Sequence, residues 1–491
     1  MFFNFQNTYA KLPQNFYQKI KPTEVSNPKL LYCNESLANS LGLEHKLHDE
    51  AEIAQIFSGN KILSNSDPIA LAYAGHQFGY FVPQLGDGRA VLLGEIKDQA
   101  NKRFDVQLKG SGVTAYSRNG DGRAALGPVL REYIISEAMH YLGVKTTRSL
   151  AVVSTGENVL RNGMLLPGAI LTRIASSHIR IGTFEYFASR GDIKSLKILA
   201  DYTIDRHYPE LKTTSAPYVS LFEKVMEAQI ELIVNWMRVG FIHGVMNTDN
   251  TSIAGETLDY GPCAFLDEYD PDKVFSAIDY QGRYSFSNQP QICYWNLAQL
   301  AQCIALVIGG DIEKSLSILY AVLANFKVQY QTKYYDMMCR KIGITTVCED
   351  SISLVNELLN IMHQEQTDYT LTFRYLSYLI LDKQFDYSEI YNASISMENW
   401  VGKWMIHLGQ EKQSMKEHIN ALFTSNPAII ARNHMIDEAI KQAVEFEDFT
   451  KVDSLLKILS EPYNPKHENI NCEYMREPSP AERVYKTFCG T

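Results

Sequence analysis

The chain of 491 residues carries a formal net charge of −10, with 45% hydrophobic and 21% charged residues. That length exceeds one ordinary core, so two or three packed units are expected. The acidic balance excludes a general nucleic-acid binder, which needs a cationic surface to displace counterions, and without a run of about 18 uninterrupted apolar residues no membrane partner is expected. The opening "MFFNFQNTYAKLPQNFY" lacks the charged and apolar regions of a secretory signal. Eight cysteines are scattered without a CxxC pair, which points to reduced thiols in a cytoplasmic setting and against a structural zinc site.

Residues 1–70 read as an irregular N-terminal extension with short helical pieces such as "NESLANSLGL". Residues 71–177 read as a β-rich unit. In "FGYFVPQLGDGRAVLLGEI" two apolar runs flank Gly86-Asp87-Gly88, a hairpin pattern. "RFDVQLKG" alternates, with Phe104, Val106 and Leu108 on one face and Asp105, Gln107 and Lys109 on the other. "GPVLREYIISEAMHYLGV" predicts a helix: Pro128 suits its first turn, Leu130, Ile134, Ala138, Tyr141 and Leu142 form its apolar stripe, and Gly143 ends it. Glu132 lies off that stripe. "RSLAVVSTG" and "GAILTRIA" predict two more strands.

Residues 178–310 turn helical. The long apolar helix "SLFEKVMEAQIELIVNWMRVG" runs directly into "GFIHGVMNTDN", which is followed shortly by "LDYGP". Residues 311–491 predict amphipathic helices and then an irregular tail bearing Cys489, an exposed thiol by its position. The fold class is α+β.

The polar residues that break these patterns form an ordered series. Gly86 and Gly88 come first, then Lys109 at a strand end and Glu132 on a helix, then a His-headed loop with Asp249 and Asn250, then Asp259 of an Asp-Tyr-Gly. A protein kinase orders its parts in the same way: glycine loop, strand lysine, helix glutamate, catalytic loop, metal-binding aspartate. Each type has a physical reason. Glycines let backbone amides approach phosphate, a buried lysine needs a carboxylate partner, and Asn and Asp supply hard oxygens for a divalent cation. Singly, each also has an ordinary reading as a plain turn, a solvated lysine or an Asx-rich loop. Two departures from a kinase stand out. Val245 occupies the position where a kinase carries its catalytic aspartate after the loop histidine, so by kinase rules this is a pseudokinase. Arg123, Arg173 and Arg180 supply more guanidinium forks, which suit phosphate oxygens, than a kinase nucleotide pocket usually does.

At "AGHQFGYFVPQLGDGRA", "QLKGSGVTAYSRNGDGRAALGPVLREYIISEAMHYLGV", "SSHIRIGTFEYFASRGD", "GFIHGVMNTDN", "DYGP" and "NPAIIARNHMIDEAI" the chain resembles the selenoprotein O family of protein adenylyltransferases. The resemblance implies a protein-kinase-like two-lobed fold with a helical C-terminal extension, binding ATP inverted relative to kinases. It implies transfer of AMP from ATP, with UTP as an alternative donor of UMP, to Ser, Thr or Tyr of protein substrates. By matching position it implies that Gly86, Gly88, Arg89, Lys109, Asp121, Gly122, Arg173, Arg180 and Asp259 hold the nucleotide. It further implies that Glu132 pairs with Lys109, that Asn250 and Asp259 bind Mg²⁺ or Mn²⁺, and that Asp249 is the general base. Family members end in selenocysteine or cysteine, which Cys489 matches. The competing readings are a conventional phosphotransferase and a non-catalytic ATP-binding pseudokinase.

Overall fold

The computed structural model describes residues 2–43, 48–381, 394–464 and 473–488, so Cys489 lies outside the described residues. Ten strands precede the helical half: β1 (Tyr17–Lys19), β2 (Lys29–Cys33), β3 (Ile69–Leu71), β4 (Gly75–Gln77), β5 (Tyr80–Val82), β6 (Ala90–Lys97), β7 (Arg103–Lys109), β8 (Ala124–Ala125), β9 (Arg148–Arg161) and β10 (Met164–Ala175). Eight of them form one sheet in the order β1-β3-β6-β7-β10-β9-β2, with β8 attached to β10. The fold is mixed α and β.

Two expectations are corrected here. Residues 1–70 are not irregular: β1 pairs with β3 (Tyr17↔Leu71) and β2 with β9 (Lys29↔Ser154), closing both edges of the sheet. Such edge strands are recruited by backbone hydrogen bonds to a partner, so they carry little alternation of their own. Nor do the apolar runs around Gly86-Asp87-Gly88 pair with each other. β5 pairs with β4, whereas β6 pairs with β3 and β7. Asp87 is the reason. Its backbone N–H donates to the Leu71 carbonyl (2.9 Å), and its buried carboxylate accepts from Leu71 N–H (3.2 Å) and Gln107 Nε2 (3.0 Å). The turn is thereby drawn into the sheet rather than left at a hairpin tip.

The alternation read in β7 is real, and both of its faces are buried. Val106 and Leu108 join Leu93, Ile96, Ile170 and Ile174 in an apolar core on one side, with Phe104 packed against it. On the other side Asp105, Gln107 and Lys109 face the helical half. Register places Glu95 opposite Asp105 and Arg173 opposite Gln107 on that same side.

Helix α1 (Glu35–Ser40) and helix α2 (Glu50–Ser58) flank the sheet, and α3 (Leu126–Tyr141) crosses to the helical half. Every residue of α3 from Val129 to Met139 is buried, because the helices Asn433–Phe446 and Thr450–Leu459 cover the side that the sheet does not. That is why Glu132, off the apolar stripe, is nonetheless interior. Then follow α4 (Ile181–Ala188), α5 (Ile193–His207), α6 (Pro217–Val239) and α7 (Gln289–Ile308). Pro217 starts α6 at a position needing no N–H, and Gly240 at φ +71° stops it. The chain then enters β11 (Phe241–Ile242), which pairs with β12 (Ala264–Phe265). This two-rung ribbon pins together the ends of the segment carrying His243, Asp249, Asn250 and Asp259.

Among the described residues one helical stretch, Phe286–Ile308, is long and apolar enough to cross a membrane. More than half of its apolar window (56%) is buried, and α7 packs against α4, α6 and the following helix Ile312–Leu323. It is a core helix.

The end of β10 is tied to the loop beyond Asn250 through Glu256, whose carboxylate accepts from Ser176 N–H (3.0 Å) and from the Ser176 hydroxyl. Burial pushes the Glu256 carboxyl up to about 7 despite those bonds. Its folded value lies above its unfolded one, so the cost of ionising it in the fold is absent in acid and grows as pH rises from 4.5 to about 7. Glu256→Gln keeps both Ser176 contacts and removes that cost. Urea unfolding is expected to show the variant more stable than the parent by on the order of 3 kcal/mol at pH 8, with the gain shrinking towards pH 5.

Candidate active site

A cavity of about 950 Å³ opens between the sheet and the helical half. All of Gly86, Gly88, Arg89, Lys109, Asp121, Gly122, Glu132, Arg173, Arg180, Asp249, Asn250 and Asp259 line it. Residues spread over more than 170 positions of sequence thus share one wall.

At its inner end Lys109 Nζ donates to Glu132 Oε2 (2.6 Å) and lies 3.4 Å from Asp259 Oδ1. Arg173 joins the same two carboxylates, with Nε to Glu132 Oε1 (2.5 Å) and Nη2 to Asp259 Oδ1 (2.6 Å). Arg180 Nη1 reaches Asp259 Oδ2 (2.5 Å) and also donates to the Asp249 backbone carbonyl. Arg180 stacks over the Tyr73 ring at 4.6 Å. Burial alone would push the Asp259 carboxyl up, but Arg173, Arg180 and Lys109 outweigh it and hold the group well below the usual carboxylate range. Burial and the neighbouring Arg173 push the Lys109 ammonium down, with Glu132 and Asp259 opposing. Asp259 itself sits at φ +61°, a left-handed conformation that Asp tolerates better than bulkier residues.

Asp249 and Asn250 lie on a single 3₁₀ turn, Thr248–Asn250. His243 is buried at its base: Nε2 contacts the Leu258 carbonyl (2.9 Å) and Nδ1 accepts from Val245 N–H (3.3 Å). Burial pushes its imidazole down, so it is a neutral brace between the two loops. Asn250 donates its amide nitrogen to the Val245 carbonyl (3.1 Å), which leaves its oxygen as the group it can offer. Asp249 is 6% exposed, its Oδ2 accepts from Gln77 Nε2 (3.1 Å), and its Oδ1 has no hydrogen-bond partner. Burial pushes its carboxyl up to about 6, with Gln77 and Arg180 opposing. The group is thus ionised at neutral pH yet close enough to it to accept a proton usefully.

The loop between β7 and α3 forms the outer wall. Gly86 and Gly88 are required there by close packing: a Cβ on Gly86 would enter the Tyr116 ring, and one on Gly88 would come within 2.7 Å of the Tyr116 carbonyl. Asp121 is held by Arg161 through two bonds (2.7 and 2.9 Å) and accepts from Arg123 N–H (2.9 Å). Arg123 departs from expectation. Its guanidinium donates to the carbonyls of Thr23 (3.1 Å) and Glu24 (2.9 Å), so it fastens the N-terminal segment more than it extends the cation cluster. Sequence reasoning passed over Tyr73, Arg161 and Gln77. Gln77 had a faint signal, as a polar residue in the conspicuous run "AGHQFGYF".

A sequence model of the family described as "Protein adenylyltransferase SelO" matches residues 1–460. The chain belongs to the SelO family. It is 51% identical over 488 residues to a protein nucleotidyltransferase YdiU of Maridesulfovibrio salexigens, covering 99% of this chain and 98% of that one. Proteins of the same name from Rhizobium rhizogenes and Rhizobium meliloti are each 49% identical, covering 99% and 100% of this chain and 97% and 99% of theirs. The family match spans the sheet, the cavity and most of the C-terminal helices, so SelO membership is a property of the whole architecture and not of one motif.

Asp259→Ala removes the carboxylate that faces Arg173, Arg180 and Lys109, leaving Lys109 and Arg173 with Glu132 and Arg180 with the Asp249 carbonyl and the Tyr73 ring. Stranding buried charge in this way costs on the order of 3 kcal/mol. Chemical denaturation is expected to show that loss, while Asp259→Asn, which keeps acceptor atoms, loses less.

Proposed function

We propose that this chain transfers AMP from ATP to Ser, Thr or Tyr hydroxyls of protein substrates and releases pyrophosphate. The observation that carries the reading is charge. Nine Lys and Arg residues line the cavity against six Asp and Glu, and one of those carboxylates, Asp249, is buried beside Arg180 without a cation bonded to its oxygens among the described residues. Surplus positive charge suits a polyphosphate, and a carboxylate in the same wall suits an incoming hydroxyl.

In the reaction so read, the acceptor oxygen bonds to the α-phosphorus as the bond to the pyrophosphate oxygen breaks. The hydroxyl proton passes to Asp249. Lys109, Arg173 and Arg180 offset charge on the phosphates, and Arg89 with the loops at Gly86, Gly88, Asp121 and Gly122 forms the rest of the nucleotide wall. Among the described residues no cluster of three or more His, Cys, Asp or Glu side chains stands ready for a metal. Mg²⁺ and Mn²⁺ do not need one at a nucleotide site, because phosphates and water complete their shell around one or two protein oxygens. Asn250 and Asp259 fit that role, as the Asn250 oxygen is uncommitted by its amide bond and a carboxylate has about four lone-pair sites. When bound, the cation supplies charge compensation at the phosphate oxygens.

Residues 71–177 and 178–310 act as the two lobes of a kinase-like fold, residues 311–491 as a helical extension, and the nucleotide lies inverted relative to kinases. Inversion accounts for Val245 at the kinase base position, since moving the reacting phosphorus moves the base to Asp249. UTP is the alternative donor. A cytoplasmic location is consistent with Cys33, Cys293, Cys303, Cys339 and Cys348 all being thiols.

The protein is to be incubated with ATP labelled at the α- or the γ-phosphate, together with Mg²⁺ or Mn²⁺. Covalent incorporation of the α label alone is expected, and exclusive γ incorporation would restore a kinase reading. Asp249→Asn is expected to lower kcat by about 10²–10⁴-fold with nucleotide affinity near normal. Asn250→Ala is expected instead to weaken metal-dependent nucleotide binding and to recover at high metal concentration, as measured by titrating metal against activity for both variants.

A further inference from the structure

The β4–β5 hairpin grips the catalytic turn residue by residue. His76 N–H donates to Thr248 Oγ1 (2.7 Å), Gln77 Nε2 to Asp249 Oδ2 (3.1 Å), and Phe78 N–H to Asn247 Oδ1 (3.1 Å). Behind this contact the His76 ring contacts Glu185 Oε1 (2.5 Å), and Glu185 also takes the Thr248 hydroxyl. The hairpin tip has φ of +52° at Phe78 and +86° at Gly79, the sign pattern of a type I′ turn. A bulky residue in the left-handed region is strained, on the order of 1 kcal/mol. Here the Phe78 N–H bonds to Asn247 and to Tyr284 Oη (3.1 Å), and its ring packs on Tyr284 at 5.1 Å, which hold it there.

We propose that Gln77 is a positioning residue for the Asp249 carboxylate: by donating to Oδ2 it fixes the carboxylate's rotation in the cavity wall. Gly75 completes the device from the same strand. A Cβ at that position would collide with Asp249 Oδ1 and come within 2.7 Å of Asp249 Cβ, so β4 walls the buried Oδ1 while Gln77 bonds Oδ2. Of the three contacts, only the one from Gln77 comes from a side chain. The backbone donors at His76 and Phe78 keep the hairpin seated when the Gln77 side chain is changed.

This inference rests on Asp249 acting as the base, and a double-mutant cycle separates the two claims. Gln77→Met keeps length without the N–H, and Gln77→Glu keeps shape but sets a second carboxylate against Asp249. With α-labelled ATP and a protein acceptor, Gln77→Met is expected to lower kcat about tenfold and Gln77→Glu further. The Kd for ATP measured by calorimetry, the KM for ATP and the melting temperature are expected to stay near the parent values. In the Asp249→Asn background, Gln77→Met is expected to cost less than twofold, because the group it acts through is already gone. Equal losses in both backgrounds, or a loss expressed in ATP binding instead of kcat, overturn the positioning role. If Asp249→Asn alone leaves kcat unchanged, the base assignment fails first and the inference with it.

Discussion

One carboxylate holds the site together. Asp259 accepts from Arg173, Arg180 and Lys109, and these come from β10, the start of α4 and the end of β7. Because the group is largely enclosed, each of those interactions is stronger than at a surface, and losing any one leaves charge uncompensated. Arg180 passes the constraint on, since it also holds the backbone carbonyl of Asp249. Sheet, helical half and the Thr248–Asn250 turn are therefore fastened at a single point, and that point lies in the wall of the cavity.

The surrounding structure makes this concentration of charge tolerable. The polar side of β7 would be solvated in a sheet with one free face. Here it meets helices, and each of its residues finds a partner: Asp105 with Arg206 and His178, Gln107 with Asp87 and Arg173, Lys109 with Glu132 and Asp259. A buried ionic row of this kind adds little net stability over a well-packed apolar one, because desolvation offsets the attraction. Its consequence is geometric. Arginine forks and paired carboxylates fix relative positions more tightly than apolar contacts do, and the inner wall of the cavity is built from them.

Asp249 obeys the opposite electrostatic logic a short distance away. Its carboxylate is bonded by the neutral amide of Gln77, and burial raises it to about 6 against Gln77 and Arg180, while Asp259 is driven down. Two carboxylates along one cavity are thus driven in opposite directions, one by burial and the other by the cations that outweigh burial. His243, the residue that heads the loop, takes no part in this division. It stacks on Trp236 at 5.3 Å and braces Leu258, which keeps the two loops in register.

The sequence by itself determined the period of β7, the helix at α3, the long apolar α6 with its Gly240 stop, and the order of the polar residues along the chain. These are local properties, written in side-chain alternation, helical spacing and glycine placement, or in the long runs that tie the chain to its relatives. Tertiary structure decided the rest. Alternation in β7 could not say that its polar face would be buried, because that depends on helices far along the chain. The pattern around Gly86-Asp87-Gly88 suggested a hairpin, but Asp87 found Leu71 and Gln107 and turned the segment inward. Strands β1 and β2 had no signal, since edge pairing is made by backbone groups that every residue carries. Gln77 met Asp249 for the same reason that Arg123 was diverted to Thr23 and Glu24: which polar atoms become neighbours across long stretches of chain is settled by packing, and spacing along the sequence does not encode it.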